Sequence, residues 1–290
     1  MSELKIENDL LTAKFNSKGA ELTSLRDAQR EYIWQADPQH WGKHSPILFP
    51  IIGQLKDGAF EHKGKSYNLS RHGFARDMDF IVTEHEGDRI SFELTSTNNT
   101  LQVYPFDFKL IVKYVLLDDV LKTQYVVENI DSQEMLFSLG GHPAFNCPME
   151  ESQKRSDYQL IFDINDSPES YILENGLLGN HKTNHFSEDG SLKIKDDLFN
   201  DDALIFKNSE FGSATLVHEP SENAYFTMHF DGFPYLGIWS KDNKSPFVCI
   251  EPWFGVADGT DHNQQLASKE GIVKLPMGQR FVCGYAIETY

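Results

Sequence analysis

Asp107-Phe108-Lys109-Leu110-Ile111-Val112-Lys113-Tyr114-Val115-Leu116, followed beyond Asp118-Asp119 by Leu121, Thr123, Tyr125 and Val127, repeats with a period of two. Phe108, Leu110, Val112, Tyr114 and Leu116 fall on one face of an extended chain, because successive side chains of a strand point to opposite sides. Two such runs across a short polar turn predict a long hairpin with one buried face.

The same alternation recurs in Ile90, Phe92 and Leu94, in Ala224, Phe226, Met228 and Phe230, and in Phe281, Cys283, Tyr285 and Ile287. Turn dipeptides punctuate it at Asp57-Gly58, Asn175-Gly176, Asp189-Gly190, Asp231-Gly232 and Asp258-Gly259. Helical periodicity is scarce, with short candidates only at 149–158 and 262–269. Many strands, many turns and few helices predict an all-β fold, a large two-sheet antiparallel β-sandwich. No composition shift, repeat or Pro/Ser-rich linker marks a seam, so residues 1–290 read as a single domain.

The net charge of −18 argues against nucleic acid or anionic lipid as partner. Three cysteines, Cys147, Cys249 and Cys283, give neither a disulfide framework nor a zinc pattern. The N-terminus lacks an apolar signal core, and no run approaches a membrane-spanning length. A cytoplasmic protein without metal or cofactor, monomeric or homodimeric, is the expectation.

Two segments carry chemistry. In Gly140-Gly141-His142-Pro143-Ala144-Phe145-Asn146-Cys147-Pro148 a histidine stands at a strand end beside an aromatic wall. In Ile250-Glu251-Pro252-Trp253-Phe254-Gly255 a glutamate ends the buried run Phe247-Val248-Cys249-Ile250, with Pro252 closing the strand. A buried carboxylate needs a partner, and rings beside it offer surfaces for the C–H faces of a pyranose. Taken singly, His142 also reads as a backbone-satisfied strand-end histidine, and Glu251 as a rim carboxylate. Arg71 and Arg76, around His72-Gly73-Phe74, offer planar forks for hydroxyls or a phosphate, or else pair with Asp77 and Asp79. Asp202 leads into an apolar strand at Ala203-Leu204-Ile205-Phe206. His40, His62, His85, His181 and His262 sit in polar settings and read as solvated.

With Ser45-Pro46-Ile47-Leu48-Phe49-Pro50 in front, these segments in this order make the chain resemble the aldose 1-epimerase (galactose mutarotase) superfamily, closest to its LacX-like branch. The resemblance implies a β-supersandwich and interconversion of the α and β anomers of a hexose. It implies His142 as general acid, Glu251 as general base, His72, Arg71 and Arg76 as sugar contacts, and Asp202 as a holder of hydroxyls. Gly53-Gln54 stands where the galactose-converting branch has an Asn-Arg pair, which removes a sugar-contacting arginine. Gly42-Lys43-His44-Ser45-Pro46 stands where the hexose-6-phosphate branch has Arg-Gly-Gly, leaving Lys43 or His44 as substitutes without a bidentate fork.

Anomer exchange opens the C1–O5 bond and recloses it from the other face. One acid at O5 and one base at the C1 hydroxyl suffice, here expected on opposite sides of C1 with room for a hexopyranose between them. The rival readings are a hexose-6-phosphate 1-epimerase, a non-catalytic sugar-binding or sensing protein, and a glycoside-cleaving enzyme. The last normally needs two carboxylates where this chain offers one and a histidine.

Overall fold

The long hairpin forms as its alternation requires. Strands Phe108–Leu117 and Val120–Asn129 pair antiparallel from Leu117↔Val120 to Phe108↔Asn129, around Asp118 in the left-handed region at φ +52°. Phe108, Leu110, Val112, Tyr114 and Leu116 are buried while the residues between them are partly exposed. In the computed structural model, which describes residues 4–163, 167–207 and 210–290, this hairpin lies inside a nine-stranded sheet. One flank continues through Arg89–Thr95 to Ile81–Glu86, and the other through Arg280–Thr289, Asn223–His229, Ser213–His218 and Tyr158–Phe162 to Leu192–Lys193.

A second, eight-stranded sheet runs Leu177–Thr183, Ser170–Glu174, Leu204–Lys207, Tyr235–Trp239, Phe247–Phe254, Leu139–Gly141 and Ile47–Leu48, with Ala144–Asn146 also paired to Phe247–Phe254. Its pairings are antiparallel. The sheets pack face to face as the sequence predicted, joined by ring contacts such as Phe145 on Phe226 at 4.2 Å and Phe49 on Phe108 at 4.9 Å. Each buried phenyl contributes about 1.5–3 kcal/mol.

Phe247–Phe254 shows why this sheet can also hold a site. Val248 and Ile250 enter the core between the sheets, whereas Phe247, Cys249 and Trp253 belong to clusters on the sheet's other face. Period two puts Glu251 on that same other face. The neighbouring strands split likewise: Leu236 and Ile238 face inward, Tyr235 and Trp239 outward. Both faces of the eight-stranded sheet are therefore covered, one by the second sheet and one by the walls of a pocket.

Two local expectations are corrected. The strand does not end at Glu251 but runs through Pro252 to Phe254. Ile250 N–H donates to Pro143 C=O at 3.3 Å, so the N–H that Pro252 lacks would point the same way. Along that side the partner strand is broken between Gly141 and Ala144, and a missing donor goes unnoticed there. The helical candidates at 149–158 and 262–269 contain only the 3₁₀ turns Arg155–Asp157 and Leu266–Ser268. The α-helix among the described residues is Asn98–Val103, started by a Thr97–Thr100 capping box.

Candidate active site

Glu251 projects from the middle of its strand opposite Gly237. His142 follows Leu139–Gly141, where its N–H donates to Pro46 C=O at 3.1 Å. Their side chains meet although 109 positions separate them in sequence: His142 Nε2 lies 3.2 Å from Glu251 Oε2, with 6% and 2% of the two residues exposed. That oxygen nevertheless has no hydrogen-bond partner, nor do His142 Nδ1 and the Trp253 indole N–H. Buried polar atoms without partners are costly, and three on one sheet face mark a place where a polar ligand completes the hydrogen bonds.

The cavity beside the pair has a volume of roughly 260 Å³. That is just under the about 300–1,000 Å³ of pockets for drug-sized ligands, and suits one sugar ring. Its lining includes all six residues singled out from sequence: Arg71, His72, Arg76, His142, Asp202 and Glu251. The expectation of room between acid and base is corrected: the pair is in contact and the room lies alongside it. Trp41 stacks on the His142 imidazole at 4.9 Å and Trp239 meets it edge-on at 5.7 Å. Neither tryptophan was named from sequence, though Trp239 ends the alternating Tyr235-Leu236-Gly237-Ile238 run.

His72 takes φ +67°, and its Nδ1 accepts from the Gly53 N–H at 3.2 Å. A backbone amide can only donate, so the ring's proton sits on Nε2 and serves as a donor. Arg76 Nη2 donates to Arg71 C=O at 2.8 Å, while its buried Nε makes no hydrogen bond and lies 3.7 Å from Asp77 Oδ2, the ion pair the sequence allowed as an alternative. Asp202, at φ +75°, accepts from the Ala203 N–H at 2.9 Å. Gln54 is absent from the lining and accepts from Arg71 Nη2 at 3.4 Å. Lys43 and His44 are engaged elsewhere, with Asp77 at 3.3 Å and with Glu21 at 3.8 Å. His262 also departs from the solvated reading, since its Nδ1 lies 3.2 Å from the buried Asp258.

Burial governs the electrostatics. It pulls the His142 imidazole down to about 3, with Arg76 adding to the fall. It lifts the Glu251 carboxyl well above the usual range; Asp202 adds to that rise and the Trp253 N–H opposes it. Burial, His142 and the two arginines likewise hold His72 neutral. The favoured state of the pair is thus a neutral imidazole beside a carboxylic acid, one proton shared by two groups. Cys249 is the third potential ligand in a His142–Cys249–Glu251 group whose donor atoms lie within 4.8 Å of one another. Burial and the adjacent Glu251 raise its thiol well above the ordinary value, so the thiolate a metal ion requires is disfavoured.

The aldose 1-epimerase family profile matches residues 2–270. Chromosomal LacX of Lactococcus lactis subsp. lactis is 34% identical, over 94% of each chain. A galactose mutarotase related enzyme from Lactobacillus acidophilus superimposes with a TM-score of 0.94 at 34% identity, covering 100% of this chain and 97% of that one. A galactose mutarotase-like protein from Lactobacillus casei gives 0.91 at 33%, covering both chains completely. With its family profile matched along most of its length and one residue in three shared with these relatives, this chain belongs to the aldose 1-epimerase family.

Proposed function

We propose that this chain interconverts the α and β anomers of a hexose, with His142 and Glu251 as the proton-transfer pair. The observation that carries the reading is the contact of 3.2 Å between two buried titratable groups with unsatisfied atoms beside a sugar-sized cavity. O1 and O5 of a pyranose are bonded to the same carbon, so groups serving both must stand side by side. Hydrogen-bond reach to each is about 2.6–3.2 Å.

The proton count follows from the pair's own chemistry. In the ion-pair form, imidazolium donates to O5 as the C1–O5 bond breaks, and carboxylate takes the proton from the C1 hydroxyl. An aldehyde remains, with imidazole and carboxylic acid beside it. Rotation about C1–C2 presents the other carbonyl face. Reclosure returns both protons, each group now in the opposite role. The ion pair that starts the step and the neutral pair that burial favours hold the same single proton, moved between Glu251 and His142 across their 3.2 Å contact. The Nε2–H of His72, Arg71, Arg76 and Asp202 hold the remaining hydroxyls.

Polarimetry on freshly dissolved α-anomers tests this. His142→Asn and Glu251→Gln each lower kcat by about 10²–10⁴-fold with circular dichroism unchanged. A folded His142→Asn protein of full activity removes His142 from the mechanism. The acidic surface and the three unpaired cysteines support a cytoplasmic setting.

A further inference from the structure

Trp253 lies at the centre of the pocket's sheet, and the strands on both sides of it carry glycine where a side chain would collide with its ring. Gly140 pairs directly with Trp253, and Gly237 pairs with Glu251 on the opposite side. A Cβ on Gly140 would fall 2.5 Å from Trp253 Cδ1, and one on Gly237 would fall 2.4 Å from Cη2 and 2.6 Å from Cζ2. The pyrrole edge therefore covers one neighbouring strand and the benzo ring the other, so the indole lies flat across three strands. Leu48, Ile52 and Ile205 belong to the same buried cluster, and the indole N–H, short of a well-aligned hydrogen bond, lies near enough to the Glu251 carboxyl to oppose its rise.

We propose that the Trp253 indole is the floor on which the sugar ring rests, and that Gly140 and Gly237 set the depth of the pocket by letting that ring lie flat. The inference depends on reading the cavity as a sugar site. Carbon atoms pack at about 3.5–4.0 Å, so a methyl at Gly237 lifts the benzo ring by roughly 1 Å into the space the pyranose needs. Depth is then a property of three residues acting together, and their effects on binding are coupled.

A double-mutant cycle on the whole protein tests this, with calorimetric binding of D-glucose, D-galactose and 1,5-anhydro-D-glucitol. The last lacks O1 and cannot mutarotate, so it reports binding independently of turnover. Gly237→Ala is expected to weaken binding by about fivefold or more and to raise KM more than it lowers kcat. In a Trp253→Phe background the same substitution changes binding less than about twofold, because phenylalanine lacks the benzo-ring atoms that the methyl strikes. Trp253→Phe alone adds no atoms and also weakens binding by about fivefold. Equal Gly237→Ala effects in both backgrounds, or unchanged affinity in Trp253→Phe, overturn the proposal. Coupled binding in a protein that mutarotates neither D-glucose nor D-galactose keeps the floor and rejects the epimerase reading for the sugars it binds. Mutarotation with additive effects does the reverse.

Discussion

Asp258→Asn is expected to destabilise this protein by about 3–5 kcal/mol, because it strands a buried ammonium group. Lys269 Nζ donates to Asp258 Oδ1 at 2.7 Å, and the two side chains are 1% and 0% exposed. The pair is asymmetric. Asp258 also accepts the Lys56 N–H at 2.9 Å and lies against His262, whereas the bond to Asp258 is the one observed for the Lys269 ammonium. Lys269→Met therefore costs less than Asp258→Asn, and Asp258→Asn with Lys269→Met recovers most of the loss. An unfolding entropy of about 2.1 cal/mol/K per residue puts the fall in Tm near 5–8 °C for Asp258→Asn. The pH dependence adds a signature. Burial already depresses Lys269, opposed by Asp258, so removing that carboxylate depresses it further. Between that folded value and the unfolded value of about 10.4 the unfolded chain binds more protons, and stability rises with pH. Urea titrations at pH 7 and pH 10 should show the deficit shrinking at the higher pH. A loss below about 1 kcal/mol at pH 7, or an equal deficit at both, refutes the reasoning.

The catalytic pair carries its single proton from near pH 3 to well above the carboxylate range, so kcat/KM should be flat across neutrality, with no limb at the free imidazole value. A limb near pH 6.5 in a stopped-flow profile contradicts this. Asp202 raises Glu251, so Asp202→Asn lowers it and moves the basic limb of the same profile to lower pH; a shift upward refutes the assignment. Arg76→Ala removes charge-assisted hydrogen bonds worth about 1.5–3 kcal/mol and should raise KM about 10–100-fold with a smaller fall in kcat. An unchanged KM for the best substrate shows that Arg76 does not hold the sugar.

The strands were legible because burial on one side leaves a strict alternation, as in Phe108 to Leu116. The all-β architecture followed from it. The six candidate residues were legible mainly through the resemblance, since Asp202 by itself is an ordinary strand entry. What escaped depended on contacts that no local pattern records. Trp41 reaches His142 from a loop, and Trp34 steadies that loop by donating its indole N–H to Trp41 C=O at 2.8 Å. The Asp258–Lys269 pair was hidden because both residues look like surface charges until the fold closes over them. Pro252 misled because its missing donor matters only where a partner strand is present to receive it.

One property of the strand Phe247–Phe254 constrains how this protein can change over time. Its even-numbered Val248 and Ile250 hold the two layers together, and its odd-numbered residues lie on the other face, where Glu251 and Trp253 line the cavity. Replacements on the cavity face can change what the pocket meets while the interior between the sheets stays as it is. A single inserted or deleted codon upstream in the strand would instead exchange the two sets, driving the carboxylate of Glu251 among the phenylalanines. Its length is thus frozen even where its side chains are free.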